Sequence, residues 1–97
     1  MFEIRETEPG RVELIGRLDA THELTAETFL DEIETSTKVD CSQLKYIASN
    51  GLGLLFAAQK RLSDVGAGLT LINLSPHIRE VFRLAGFDTI FVIESES

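Results

Sequence analysis

Ser49 and Asn50 stand between an apolar lead-in, Tyr46-Ile47-Ala48, and Gly51-Leu52-Gly53, where a helical spacing of apolar residues begins. A hydroxyl at such a junction has three chemical uses: nucleophile, phosphate ligand, or acceptor of a modification. A nucleophile needs a base, and the candidates are His22 and His77. Neither has a catalytic context, and Ala48-Ser49-Asn50-Gly51 lacks the first glycine of a nucleophile elbow. The glycine pair fails as a dinucleotide fingerprint, because its third glycine would fall at Phe56. These glycines instead suit close packing of a helix on a strand, with Gly51 keeping the surroundings of the serine open. Cys41, His22 and His77 are too scattered to share a metal.

Modification remains. A helix N-terminus offers unpaired N–H groups and about half a positive charge. A phosphate on Ser49 would bring roughly −1.5 to −2 charges to that point. It could be accepted by those donors while confronting any docked partner with new charge. The plainer expectation is that Ser49 or Asn50 caps the helix, as these residues commonly do.

Composition limits the partners. Sixteen acidic against nine basic residues leave a formal charge of −7, which repels nucleic acid and anionic membrane and suits a partner with a basic surface. A lone cysteine forms no internal disulfide, which points to a reducing, cytoplasmic setting. The longest strictly apolar run, Leu54 to Ala58, falls far short of the roughly 20 residues needed to cross a bilayer, so no direct membrane insertion is expected. No signal core opens the chain. The 97 residues, 43% hydrophobic and with no shift in composition, are expected to form one domain over 1–97.

The positioning elements follow from periodicity. Phe2 and Ile4, then Val12 and Leu14, alternate with charged residues on either side of Glu8-Pro9-Gly10. That pattern predicts an antiparallel hairpin ending at Ile15-Gly16. Ala26, Phe29, Leu30 and Ile33 share one face of a helix from Thr21, closed by Thr35-Ser36-Thr37; Glu23, Glu27, Asp31, Glu32 and Glu34 make its other side acidic. Lys38 to Cys41 reads as a short strand and Ser42 to Tyr46 as a connection. A second helix spans about Asn50 to Val65, with Gly51, Leu55, Ala58, Leu62 and Val65 on one face. Leu52, Leu54 and Phe56 widen its apolar band, as burial on more than one side would require.

Gly66-Ala67-Gly68 stops that helix, and Leu69 to Leu74 forms a strand. Ser75-Pro76 caps a third helix carrying Ile78, Val81, Phe82 and Ala85; Gly86 ends it, Ile90 to Ile93 is the last strand, and Glu94 to Ser97 a polar tail. The order is β-β-α-β-α-β-α-β. It implies an α/β fold with a mixed sheet: an opening antiparallel hairpin, then parallel units joined by right-handed crossovers.

Three stretches together resemble one family. "VDCSQLKYIASNGLGLL" is similar to the strand–loop–helix core of STAS domains, the sulfate-transporter and anti-sigma-factor-antagonist family. "GRLDATHE" resembles that family's Gly-x-Leu-Asp segment, and "LINLSPHIREVFRLAGFDTIFVI" its closing strand, helix and strand. The resemblance covers nearly the whole chain in matching order. It implies a STAS-like fold and a non-catalytic, cofactor-free protein that works by association.

The resemblance also implies a partner: stand-alone members often bind an anti-sigma-factor serine kinase, which phosphorylates a serine and breaks the complex; a phosphatase reverses the mark. By position the phosphoacceptor is Ser49. Asn50 and Gly51, with Asp19, Ala20 and Thr21 from the adjacent loop, then form the docking surface. Many phosphorylated members carry aspartate just before the serine, where this chain has Ala48, and the residue after it is Asn50. Other STAS proteins altered here act as unmodified scaffolds or as small subunits of lipid-transport ABC systems. Asp19 and Asp40 also have a local use, since aspartate at a strand end binds nearby backbone N–H groups.

Overall fold

The computed structural model describes residues 1–95. Five strands, β1 (Phe2–Glu8), β2 (Arg11–Leu18), β3 (Thr37–Ile47), β4 (Leu69–Ile72) and β5 (Val92–Glu94), form one sheet in the order β1-β2-β3-β4-β5. β1 and β2 pair antiparallel around Pro9-Gly10, where Gly10 takes φ +82°; every later pairing is parallel. Helices α1 (Glu23–Asp31), α2 (Ser49–Ser63) and α3 (Pro76–Leu84) connect the parallel strands. None of the described helices is long and apolar enough to cross a membrane. The mixed sheet and the element order agree with the reading of the sequence.

Alternation within each strand sends one row of apolar side chains to a common face. Val12, Leu14 and Leu18 of β2, Val39, Cys41, Leu44 and Ile47 of β3, and Leu69 and Leu71 of β4 are buried there. They share one core with Ala26 and Leu30 of α1, with Leu52, Leu55, Ala58 and Leu62 of α2, and with Ile78 and Phe82 of α3. The opposite sheet face carries Arg11, Glu13, Arg17, Lys38 and Asp40, tied across strands by Arg11–Asp40 at 3.2 Å and Arg5–Glu13 at 3.0 Å. Helices α1 and α2 lie side by side and run the same way. Asn50 Nδ2 donates to Glu23 Oε2 (3.3 Å) near their starts, and Arg61 donates to the Leu30 and Ile33 carbonyls (2.9 and 2.7 Å) near their ends.

Several boundaries differ from expectation, each for a visible reason. β2 continues past Gly16 to Leu18, and β3 continues through Ser42 to Tyr46, the segment expected as a connection. These two extensions pair with each other, and register shifts between Glu13 and Ile15 and between Gly16 and Arg17 disturb the alternation that would have revealed them. Gly16 is needed there: at φ +93°, a Cβ would lie 2.2 Å from the Met1 carbonyl oxygen.

Helix α1 begins at Glu23, after a 3-10 turn at Ala20–His22, rather than at Thr21. Helix α2 ends at Ser63, leaving Val65, expected on the buried face, 71% exposed. Phe56 is also exposed, its ring stacked on Phe87. Strand β4 stops at Ile72 because Asn73 turns through φ +60°, a conformation asparagine tolerates. Ile90 and Phe91 hydrogen-bond back to the Phe87 carbonyl, so the last strand starts only at Val92. Of the expected polar tail, Glu94 belongs to β5, and residues 96–97 lie outside the described residues.

Candidate functional site

Two parallel strands ending side by side bring the site together. Leu18 and Ile47 are register partners at the carboxyl ends of β2 and β3. The Ala48 N–H donates to the Leu18 carbonyl at 2.9 Å, carrying the ladder one residue past β3. Asp19–Thr21 and Ala48–Asn50 therefore emerge as neighbours. In open α/β sheets, this carboxyl edge is where binding sites form.

Ser49 is exposed and is the first residue of α2. It is not the cap. Ala48 holds that place with extended backbone (φ −87°, ψ 169°), and its carbonyl accepts the first helical bond, from Leu52 N–H at 3.0 Å. A methyl group offers the first-turn N–H groups nothing. The expectation that Ser49 or Asn50 caps α2 is thus corrected, because continuation of β3 to Ile47 moves the cap one residue earlier. Asn50, half-buried, reaches Glu23 with its amide nitrogen, while its Oδ1 lies 3.1 Å from the Gly51 N–H.

Gly51 is buried directly beneath. A Cβ there would come within 2.8 Å of Leu18 Cγ and 2.9 Å of Ile47 Cγ1, so α2 rests on the ends of both strands. Its place in the surface is that of a support, and Ser49, Asn50, Asp19, Ala20 and Thr21 make the face above it. Gly53, expected to serve packing as well, has open space around it.

Asp19 binds its own turn. Its Oδ1 accepts from Thr21 N–H at 3.1 Å and meets His22 Nδ1 at 2.9 Å. An ionised carboxylate only accepts, so Nδ1 is the donor in this contact. Partial desolvation pushes the Asp19 carboxyl up, but His22, the Thr21 N–H and the Arg17 charge outweigh it and hold the carboxyl below its ordinary value. Beside it, the Arg17 guanidinium lies 4.3 Å from the centroid of the Tyr46 ring. The local use expected of Asp19 is present, and Asp40 behaves alike: it accepts from Ser42 N–H (2.9 Å) and Arg11, deep in the sheet.

His22 and Glu23 were missed. By sequence, His22 is only a candidate base without catalytic context, and Glu23 only one residue of the acidic side of the first helix. The signal in the sequence is the Asp-x-x-His spacing, which the 3-10 turn closes into the Asp19–His22 contact.

The resulting surface holds an open hydroxyl flanked by two acidic side chains, Asp19 and Glu23. The two grooves described lie elsewhere, around Gly10 and Thr37 at the other end of the sheet. Such a face can receive a protein and a charged mark.

Comparison with known proteins agrees with this fold. The family model described as "Mlab, STAS domain" matches residues 2–94. The Bordetella bronchiseptica protein BtrV, which carries the name of an anti-sigma factor antagonist, is 39% identical over 71 residues, 73% of this chain. That match spans about 60% of BtrV. Among solved structures, an anti-sigma factor antagonist from Mycobacterium paratuberculosis superposes with a TM-score of 0.81 at 20% identity, covering 97% of this chain and 84% of the other. The Bacillus protein SpoIIAA in its phosphorylated form gives 0.73 at 20% identity, covering 100% and 92%.

Proposed function

The chain belongs to the STAS family, and we propose that it acts as an anti-sigma factor antagonist that docks on an anti-sigma-factor serine kinase and is released when Ser49 is phosphorylated. One observation carries the reading: the Ser49 hydroxyl stands exposed at the start of α2, while the packing that holds α2 lies below it, at Gly51, Leu18 and Ile47. Names among its relatives support it, since BtrV is named as an anti-sigma factor antagonist and SpoIIAA has a phosphorylated form.

The switch would be electrostatic. A phosphate adds roughly −1.5 to −2 charges beside Asp19 and Glu23, on a chain already at −7. A partner that seats its own surface here meets that charge at short range, and each 1.4 kcal/mol of lost contact weakens binding about tenfold. The fold is spared because no buried atom has to move. The test is incubation with a cognate serine kinase and ATP, read by intact mass: one added phosphate, absent in Ser49→Ala. Ser49→Asp should weaken kinase binding at least tenfold with a nearly unchanged thermal midpoint. An unfolded Ser49→Asp, or phosphate gained in Ser49→Ala, would refute the assignment.

A second reading rests on Ala48, which stands where many phosphorylated members have aspartate, and on the Mlab description of the matching model. There the same face contacts the ATPase subunit of a lipid-transport ABC system, or another scaffold partner, and is never modified. Recovery of an ABC ATPase in a pull-down, with no change of mass, selects it.

A further inference from the structure

The face that α2 turns to solvent is built unlike those of its neighbours. Ser49, Gly53, Phe56, Ala57 and Lys60 are exposed and recur at helical spacing, so they line one side of the helix. None of the eleven residues from Ser49 to Gln59 is charged. A helix side facing water ordinarily bears charge, as Glu27 and Asp31 show on α1 and Arg79 and Glu80 on α3. Two turns on from Ser49, about 10 Å along the axis, Phe56 is 37% exposed. Its ring stacks on Phe87 with 5.5 Å between centroids and 22° between planes, and Phe87 rests in turn on the buried Phe91 at 6.3 Å. Phe56 is an exposed ring braced from behind. Between it and the serine lies Gly53, which has no positive φ and where a Cβ would stand in open space. Glycine weakens a helix interior relative to alanine. Leu18 and Ile47 force it at Gly51, but among the described residues nothing requires it at Gly53.

A glycine that the fold does not need, beside a braced ring on an uncharged helix side, fits a place where another protein's main chain comes close. Continuity names the occupant, because the stripe starts at the Ser49 hydroxyl and whatever seats itself there lies over Gly53. We propose that the serine kinase docked on Ser49 extends along α2, setting main chain against Gly53 and Ala57 and taking Phe56 into an apolar socket. This rests on the function proposed for Ser49 and adds where the affinity resides: the serine is the switch, and the stripe beyond it is the contact. Rigid aromatic rings carry much of the binding energy at protein interfaces. The matching surface of the kinase is apolar opposite Phe56 and basic opposite Asp19 and Glu23.

The experiment titrates the full chain against the cognate serine kinase without ATP, by calorimetry, beside a thermal melt of each variant. Gly53→Gln should melt at or above the parent, since glutamine favours helix over glycine, and should bind at least tenfold more weakly. Phe56→Ala should also lose at least tenfold in affinity, while Thr28→Gln, exposed on α1, should bind as the parent does. Stability gained while affinity is lost is a result that damage to the fold does not produce. Parent affinity in Gly53→Gln or Phe56→Ala, or an equal loss in Thr28→Gln, would overturn this proposal and leave the assignment of Ser49 standing. A parent chain that does not bind the kinase overturns both.

Discussion

Gly51 and Gly53 sit two residues apart in α2, and adding one methyl group to each should have opposite effects. At Gly51 the new Cβ would meet Leu18 Cγ at 2.8 Å and Ile47 Cγ1 at 2.9 Å, against an optimal carbon–carbon separation of about 3.5–4.0 Å. Both struck atoms are near the backbone of side chains only 1% and 4% exposed, so neither can swing aside. Overpacking of this kind costs about 1–3 kcal/mol. At Gly53 nothing lies within 4 Å, leaving only the helix preference for alanine over glycine, about 0.8–1 kcal/mol. That preference acts at both positions, so the difference between Gly51→Ala and Gly53→Ala isolates the clash: about 1–3 kcal/mol. With 1 kcal/mol shifting the midpoint by about 4–8 °C in a domain of this size, the two variants should melt about 4 °C or more apart. Gly53→Ala should lie above the parent. Parallel thermal and urea melts decide it, and midpoints that coincide would refute the seating of α2 on the ends of β2 and β3, and with it the geometry assigned to Ser49.

Ala48→Asp should stabilise the protein by about 1 kcal/mol, because the residue already has the extended backbone of a cap and lacks only the acceptor; an unchanged midpoint would mean that the first-turn N–H groups are served otherwise. Asp40 supplies an acid limb to stability. Burial raises its carboxyl, but Ser42, Arg11 and Asn73 lower it further, so its folded value lies below the ordinary 3.8. Its contribution is therefore complete above the ordinary value and lost as pH falls through the lowered one, and Asp40→Asn should flatten the stability profile below about pH 4. Cys41, fully buried with its thiol pushed up to about 12 by burial and the neighbouring Asp40 charge, should resist iodoacetamide at pH 8 until denaturant is added. Rapid labelling of the native protein would contradict that burial.

Much of the fold was legible because its signals are local. Apolar spacing placed three helices, Pro9-Gly10 placed the hairpin turn, and Ser75-Pro76 marked the start of α3, where Ser75 Oγ accepts from the Ile78 N–H. Polarity misled at Ser42 to Tyr46. Those residues are strand through their pairing with β2, and several face solvent on the uncovered side of the sheet. No property of the segment alone shows that a partner strand runs beside it.

The candidate site divides the same way. Sequence alone set its chemistry: a hydroxyl beside a helix start, acidic neighbours, a chain of net charge −7. Tertiary structure set which side chain does what. It made Ala48 the cap, freeing Ser49; it buried Gly51 and left Gly53 open; and it brought Glu23 to Asn50 and His22 to Asp19. The physical reason is range. Turn propensity and periodicity act over a few neighbouring residues, whereas exposure, capping and close approach at Ser49 are fixed by two strand ends some thirty residues apart in the chain.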